Sequence, residues 1–161
     1  MTIAIGDKIP AHDFIVMGAD GPDKRSTADI FDGKKVVLIG VPGAFTPTCH
    51  STHLPGFLSN LDALKDKGVD SVAVTTVNDV HVVNAWAKAT EGNGKIEYLA
   101  DGNGDFAKAI GMDADLAIAG MGVRSKRYAM VVDNGTVTHL NIEEMPGKAE
   151  LSSAEAILEQ L

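Results

Sequence analysis

The sequence predicts an α/β fold with a mixed central β-sheet flanked by helices. Strand-like segments alternate with helical patterns along most of the chain, which is typical of strands joined by helical crossovers. The segment Val36–Val41 is continuously apolar, as expected for a strand that is covered on both faces. Near the C-terminal end, Asn134-Gly135 separates two β-rich runs and predicts an antiparallel hairpin. Parallel crossovers and a late hairpin together favour a mixed sheet.

The remaining elements follow from local patterns in chain order. β-rich runs predict strands at 13–17, 35–41, 69–77, 96–100, 128–133 and 136–142. Amphipathic or capped segments predict helices at 26–31, 47–67, 78–89, 106–110 and 152–158. Residues 18–23 are predicted to form a turn, and Pro55-Gly56 predicts a kink near Leu54. Asn78 is expected to cap its helix, and Val80, Val83 and Trp86 are expected to form the inner face.

Length and charge limit the classes of function. The 161 residues are expected to form one domain, 1–161, with a formal net charge of −8 and no basic stripe for nucleic acid. The first residues lack the pattern of a signal peptide, and no apolar run is long enough to span a membrane. One cysteine allows no intramolecular disulfide. We therefore expect a cytoplasmic protein that binds neither nucleic acid nor membrane.

The single cysteine lies where a helix is predicted to begin. Thr46 is a good N-cap, Pro47 suits the first helical position, and Cys49 then falls at the third. The unpaired N–H groups and the macrodipole of a helix start favour a negative charge there. The sequence therefore predicts a reactive thiolate rather than an inert core thiol.

A cation beside this thiol would favour the thiolate further. Lys126-Arg127 directly precede a predicted strand, and Arg127 keeps its charge while offering several donors in a fixed geometry. His53 is a second candidate, because it follows Cys49 by four residues on the same helical face. We interpret His50, which turns away from that face, as an exposed residue.

Two other kinds of site are weighed against this one. Cys49, His50 and His53 offer three metal ligands from one helical turn with no fourth, so no metal site is expected. A hydrolase or acyltransferase with a Cys–His pair would need His53 as its base, but no acid is present in the sequence nearby to orient it. The run 101–105 begins like a calcium loop but lacks its later Gly and Glu, which predicts a turn.

A family resemblance covers essentially the whole chain. The pattern Pro42-x-x-x-Thr46-x-x-Cys49, followed by Thr-His-Leu-Pro-Gly-Phe at 52–57, resembles the peroxiredoxins, specifically the type II or peroxiredoxin-5-like branch. Val-Asn-Asp at 77–79, Ala-Trp at 85–86 and Arg-Ser-Lys-Arg-Tyr at 124–128 continue the match. The resemblance implies a thioredoxin-like fold and a thiol peroxidase that acts on hydrogen peroxide and alkyl hydroperoxides without a cofactor.

The same resemblance implies a role for each matching residue. Cys49 corresponds to the cysteine that peroxide oxidises to a sulfenic acid, and Pro42 to the residue that shields it from water. Thr46 corresponds to the residue that bonds the sulfur and the peroxide, and Arg127 to the guanidinium that completes the pocket. The pocket wall is expected to include Gly43, Thr48 and His53, the last of these with a packed structural histidine as the open alternative.

The resemblance also implies partners for the catalytic cycle. Ser152 and Ser153 occupy the place of the second, resolving cysteine of animal relatives, and Val74 that of plant relatives. We therefore expect an external thiol, glutathione with glutaredoxin or thioredoxin, to reduce the sulfenic acid. A homodimer with its contact near the active-site loops is also implied. The open alternative is a non-enzymatic, redox-responsive partner or chaperone on the same fold.

Overall fold

The computed structural model describes residues 2–145 and 147–161. The described residues form strands β1 (Asp13–Gly18), β2 (Gly21–Ser26), β3 (Lys35–Val41), β4 (Ser71–Thr76), β5 (Glu97–Ala100), β6 (Asp113–Asp115), β7 (Val123–Ser125), β8 (Tyr128–Asp133) and β9 (Thr136–Ile142). The α-helices are α1 (Thr27–Phe31), α2 (Leu54–Ser59), α3 (Leu61–Asp66), α4 (Val80–Ala89), α5 (Asp105–Ala109) and α6 (Ala154–Gln160). A π-helical turn, Cys49–His53, precedes α2, and a 3₁₀ turn, Ala117–Ala119, lies between β6 and β7.

Seven strands form the central sheet in the order β2-β1-β5-β4-β3-β8-β9. β3, β4 and β5 are parallel, whereas the pairs β1/β2, β1/β5, β3/β8 and β8/β9 are antiparallel. β6 and β7 form a separate two-stranded sheet. The predicted mixed sheet is therefore present.

The centre of the sheet is buried on both faces, as the apolar sequence of β3 predicts. Val37, Ile39 and Val41 belong to the core cluster that includes Trp86 of α4 and residues of α2, α3 and α6. The alternate side chains, Val36 and Leu38, belong to a second cluster that includes residues of α1 and α5. Successive side chains of a strand point to opposite faces, so one apolar run supplies both layers of the core. None of the helices in 2–145 and 147–161 is both long and apolar enough to cross a membrane.

The structure differs from the sequence expectation on the segment after β1. The turn predicted over residues 18–23 is present but is confined to 19–20, and Gly21–Ser26 forms β2 on the edge of the sheet. This strand is largely exposed and carries no apolar alternation, so periodicity could not reveal it. Pro22 is tolerated because an edge strand has one side without ladder partners.

The long helix predicted over 47–67 is divided into three pieces. The π-turn changes to α-helix at Leu54, where Pro55-Gly56 predicted an irregularity, and Pro55 lies in the first turn of α2. A proline is tolerated there because the regular ladder of helical hydrogen bonds that it would interrupt already changes from π to α at this point. A further break at Asn60, which separates α2 from α3, was not predicted.

The predicted hairpin determines what lies at one edge of the sheet. Asn134 and Gly135 have φ values of 49° and 81°, both in the left-handed region that a two-residue turn of this kind requires. In the ladders that follow, Tyr128 pairs with both Gly40 of β3 and Ile142 of β9. The end of β3, the start of β8 and the end of β9 therefore meet at the same edge.

Candidate active site

The loop that leaves β3 is held by the neighbouring parallel strand. Asn78, just after β4, accepts hydrogen bonds at Oδ1 from the N–H of Ala44 (2.9 Å) and from the hydroxyl of Thr76 (2.8 Å). The expectation that Asn78 caps α4 is wrong. Asp79 is the N-cap and accepts from the N–H groups of His81 and Val82. One asparagine thus fixes the start of the loop to the end of β4.

Thr46 begins the helix through its backbone but not through its side chain. Its carbonyl oxygen accepts the first helical hydrogen bond, from His50 N–H at 2.9 Å. Its hydroxyl donates to the carbonyl of Gly43 at 2.6 Å, rather than accepting from the N–H of Cys49 as an N-cap at this spacing would. The hydroxyl oxygen therefore keeps its capacity to accept a hydrogen bond.

Cys49 lies in the π-turn and is fully buried. The turn is closed by a hydrogen bond from the N–H of Leu54 to the carbonyl of Cys49, five residues earlier. It places Cys49 and His53 on the side that faces the start of β8. π-turns of this kind recur at functional sites, because the extra residue redirects a side chain within an otherwise regular helix.

Arg127 reaches the sulfur directly. Its Nη2 donates to Cys49 Sγ at 2.9 Å, and its side chain is buried, with 2% of its surface exposed. The sheet register explains this proximity, because Tyr128 pairs with Gly40 and the preceding arginine therefore lies beside the end of β3. A permanent positive charge in a buried site stabilises a negative sulfur more strongly than it would in water.

His53 contacts Arg127 rather than the sulfur. Arg127 can only donate, so its Nη1 bond of 2.9 Å makes His53 Nδ1 an acceptor. Nε2 then carries the proton and donates to the carbonyl of Ser152 at 2.8 Å. Burial and the neighbouring Arg127 charge lower the pKa of His53 from its ordinary 6.5 to about 4. His53 is therefore neutral at physiological pH, and it cannot serve as a base for Cys49 because Nδ1 is occupied by Arg127 and Nε2 already carries a proton.

A cavity of about 320 Å³ opens beside this cluster. It is lined by Pro42, Thr46, Pro47, Thr48, Leu116, Ala119, Met121, Arg127 and Gly147. Of the residues predicted for the pocket wall, Thr48 lies on the wall and donates its hydroxyl to the carbonyl of Gly147 at 2.8 Å. Among the described residues, Gly43 and His53 are not part of the lining, and both are buried behind it.

Gly43 is needed for the close approach of its neighbours. A Cβ at this position would lie 3.0 Å from the methyl group of Thr46, which is closer than carbon atoms normally approach. It would also lie 3.4 Å from Nη1 of Arg124 and from Cε of Met121. Arg124 itself is tied to the backbone by bonds to the carbonyls of Met121 (2.8 Å) and Val77 (3.2 Å). The glycine therefore lets the loop pack against the segment that carries the far wall of the cavity.

His50 was expected to be exposed, but it is half-buried. Its Nδ1 accepts a hydrogen bond from the indole N–H of Trp86 at 3.1 Å, and its ring stacks on Phe45.

In the part of the chain that the structure describes, no three His, Cys, Asp or Glu side chains are grouped so that they could hold a metal ion. The predicted turn is present at 102–103, directly before α5, and the Asp101 carboxylate accepts from the N–H groups of Phe106 and Ala107.

Two residues behind the site, Glu143 and Ser152, have roles that the sequence does not predict, although Ser152 was noted as the place of a resolving cysteine in relatives. Glu143 is buried and accepts from both the N–H and the hydroxyl of Ser152, each at 2.6 Å. The turn at Asn134-Gly135 could not reveal Glu143, because the register shifts by one residue between Val131 and Val132; only that shift pairs Tyr128 with Ile142 and places Glu143 opposite Arg127. No local pattern indicated Ser152 as an acceptor for His53.

Known proteins match this chain over nearly its whole length. The redoxin family model covers residues 4–158. The chain belongs to the redoxin family, among the peroxiredoxins. Peroxiredoxin-2C of Oryza sativa subsp. japonica is 46% identical over 162 residues, which cover 99% of this chain and 98% of that protein. Peroxiredoxin-2B of Arabidopsis thaliana is 43% identical with the same coverage.

Solved structures agree with this peroxiredoxin in fold as well as in sequence. Reduced Prx3 from Vibrio vulnificus, crystallised in complex with H₂O₂, superposes with a TM-score of 0.93 at 45% identity and 99% coverage of both chains. The predicted thioredoxin-like peroxiredoxin fold and the predicted enzyme class, a thiol-dependent peroxidase, are thereby confirmed. The chain is a single-cysteine member of the type II, or peroxiredoxin-5-like, branch.

Proposed function

We propose that this peroxiredoxin reduces hydrogen peroxide and alkyl hydroperoxides through direct attack of the Cys49 thiolate on the O–O bond. An S–O bond forms as the O–O bond breaks, so sulfur loses two electrons and becomes a sulfenic acid. The departing oxygen takes a proton and leaves as water or an alcohol. The observation that carries the proposal is the buried guanidinium of Arg127, 2.9 Å from the sulfur and on the wall of the adjacent cavity.

The other groups around the cavity support the same chemistry. Arg127 offers charge that stabilises both the thiolate and the oxygen on which negative charge develops. Thr46 donates its hydroxyl hydrogen to Gly43, so its oxygen is available to accept from the O–H of a hydroperoxide. Leu116, Ala119 and Met121 supply apolar wall, which suits the hydrocarbon tail of an alkyl hydroperoxide.

The oxidation step can be tested by single substitutions with a matched control. Cys49→Ser should abolish both peroxide consumption and trapping of a sulfenic acid by a dimedone-type reagent. Arg127→Ala should slow oxidation of Cys49 by about a hundredfold or more, since it removes the charge beside the sulfur. Lys126→Ala, at the exposed neighbouring position, should leave the rate within about twofold of wild type. Peroxide consumption by Cys49→Ser at the wild-type rate would refute the proposal.

An external thiol completes the proposed cycle. Cys49 is the single cysteine of the chain, so no second thiol of the same molecule can form a disulfide with the sulfenic acid. We assign this step to glutathione with glutaredoxin or to thioredoxin. Steady-state turnover with each electron source, at equal peroxide concentration, decides between them. If neither source supports turnover, the assignment is wrong.

We further assign a homodimer and a cytoplasmic role in antioxidant defence and redox homeostasis. Two apolar side chains near the cavity support the dimer, since Phe45 is 48% exposed and Ile118 is fully exposed. Sedimentation of the reduced protein should show a dimer that Ile118→Glu weakens, and a monomer for the wild type would contradict it.

The free thiol favours a reducing compartment, which cell fractionation would test.

A further inference from the structure

Four buried residues form a closed ring of hydrogen bonds behind the reactive sulfur. Arg127 donates from Nη1 to His53, and His53 donates from Nε2 to the carbonyl of Ser152. Ser152 donates its N–H and its hydroxyl to Oε2 of Glu143. The backbone N–H of Glu143 donates to the carbonyl of Arg127 at 3.0 Å, so the ring ends on the residue where it began.

The strongest bonds of the ring are those to Glu143. Both distances from Ser152 to the carboxylate are 2.6 Å, in the range of hydrogen bonds that are assisted by charge. Ser152 has no exposed surface, and Glu143 exposes only 7% of its own. Removing a partner from such a buried pair leaves a polar group unsatisfied, so the pair is held firmly. The Ser152 carbonyl is consequently fixed in place.

The direction of each bond explains how this affects the sulfur. The fixed Ser152 carbonyl accepts from Nε2 of His53, which keeps the proton there and leaves Nδ1 as an acceptor. Nδ1 in turn holds one nitrogen of the Arg127 guanidinium, while Nη2 of the same planar group contacts Cys49. Because the guanidinium is rigid, orienting one nitrogen orients the other.

We propose that Glu143 and Ser152 are positioning residues for the peroxidase reaction, acting through His53 to hold the Arg127 guanidinium on the sulfur. The proposal rests on the proposed oxidation of Cys49. Neither residue lines the cavity beside the sulfur, among the described residues, so neither touches the hydroperoxide. Their effect is on the rate with which the thiolate attacks.

The test compares two ring variants with two matched controls. Glu143→Gln keeps the shape of the side chain and removes its charge, and Ser152→Ala removes one of the two bonds to it. Glu144→Gln makes the same change at the exposed neighbour. Ser153→Ala removes the side-chain cap of α6, which accepts from Ala156 N–H, and leaves the ring intact.

Stopped-flow oxidation of Cys49 by hydrogen peroxide, followed by the fluorescence of Trp86, gives the second-order rate constant of each variant. We expect a decrease of about tenfold to a hundredfold for Glu143→Gln, because small displacements of a catalytic group cost rates of this order. For Ser152→Ala we expect about fivefold, the equivalent of one hydrogen bond. Glu144→Gln and Ser153→Ala should stay within about twofold, although Ser153→Ala lowers the denaturation midpoint.

A spectroscopic measurement separates positioning from general loss of stability. The ¹⁵N spectrum of the His53 ring should show the Nε2–H tautomer in the wild type and in Ser153→Ala, and a mixture of tautomers in Glu143→Gln. Ring variants that oxidise at the wild-type rate would overturn the proposal, as would a Ser153→Ala variant that is equally slow. If Glu143→Gln does not fold, Ser152→Ala decides. A failure of the proposed function itself is distinguished by Cys49→Ser, which would then still consume peroxide.

Discussion

His53 should make the stability of this peroxiredoxin fall steeply as the pH drops from 6.5 towards 4. Burial and the Arg127 charge lower its pKa to about 4 in the folded protein, whereas an unfolded chain binds the proton near 6.5. Between these values the unfolded state holds more protons than the folded state. The free energy of unfolding therefore rises with pH over this interval. The contribution of His53 is full above pH 6.5 and decreases as the pH falls towards 4.

The structure also sets the size of the effect. Each unit of pKa difference corresponds to about 1.4 kcal/mol, so the full interval is worth about 3 kcal/mol of stability. This is a large share of the net stability of an ordinary domain, which is about 5–15 kcal/mol. Glutamine can accept from Arg127 and donate to Ser152 as the neutral imidazole does, but it does not titrate. His53→Gln therefore removes the proton linkage with little change in the hydrogen bonds.

Urea unfolding followed by the fluorescence of Trp86, at pH values from 4 to 7, measures the difference. Carboxylates titrate in both proteins, so the free energy of the wild type minus that of His53→Gln isolates the histidine. This difference should decrease by about 3 kcal/mol from pH 7 to pH 4. His81→Gln, the same change at an exposed position, should run parallel to the wild type. A difference between wild type and His53→Gln that does not vary with pH would refute the lowered pKa of His53 and the burial that causes it.

Substitutions at four further positions test the loop and the sheet beneath it. Thr46→Val should slow sulfenic acid formation in stopped flow by about tenfold or more while Thr46→Ser retains it; equal rates for Val and wild type would show that the hydroxyl is dispensable. Asn78→Ala leaves a buried N–H and a hydroxyl without their acceptor, so urea unfolding should show a loss of about 2 kcal/mol together with slower peroxide turnover. Asp79→Ala removes only the helix cap, so a loss of about 1 kcal/mol with unchanged turnover is expected, and slower turnover would contradict the separate roles. Gly40→Ala places a methyl group within the ring of Tyr128 and should cost more than about 2 kcal/mol in thermal unfolding, whereas an unchanged midpoint would contradict the packing.

Much of the fold was predictable because its signals are local. The apolar run of β3 predicted a strand buried on both faces, and Asn134-Gly135 predicted the hairpin. The edge strand β2 was not predictable, because its polar sequence shows no periodicity and, among the described strands, it pairs with β1 alone. Pro55-Gly56 indicated an irregularity at Leu54, but nothing in the local pattern indicated the second break at Asn60.

The candidate site divides in the same way. Cys49, Thr46 and Arg127 stand out in the sequence, because a helix start and a strand start are local features that can be recognised one at a time. The partners of Asn78 and His53 could not be deduced locally. Asn78 holds a loop that follows a neighbouring strand, and His53 lies between Arg127 and a carbonyl that is distant in sequence.

The sequence by itself determined the family, the fold class and the identity of the reactive thiol, because motif spacing and hydrophobic periodicity are properties of short segments. Only the tertiary structure decided that His53 is a neutral acceptor for Arg127 rather than a base for Cys49. It also decided that Glu143 and Ser152 stand behind that pair. The physical reason is that hydrogen-bond direction and burial depend on which strand ends meet at one edge of the sheet. The register of β8 against both β3 and β9 determines which strand ends lie side by side at that edge.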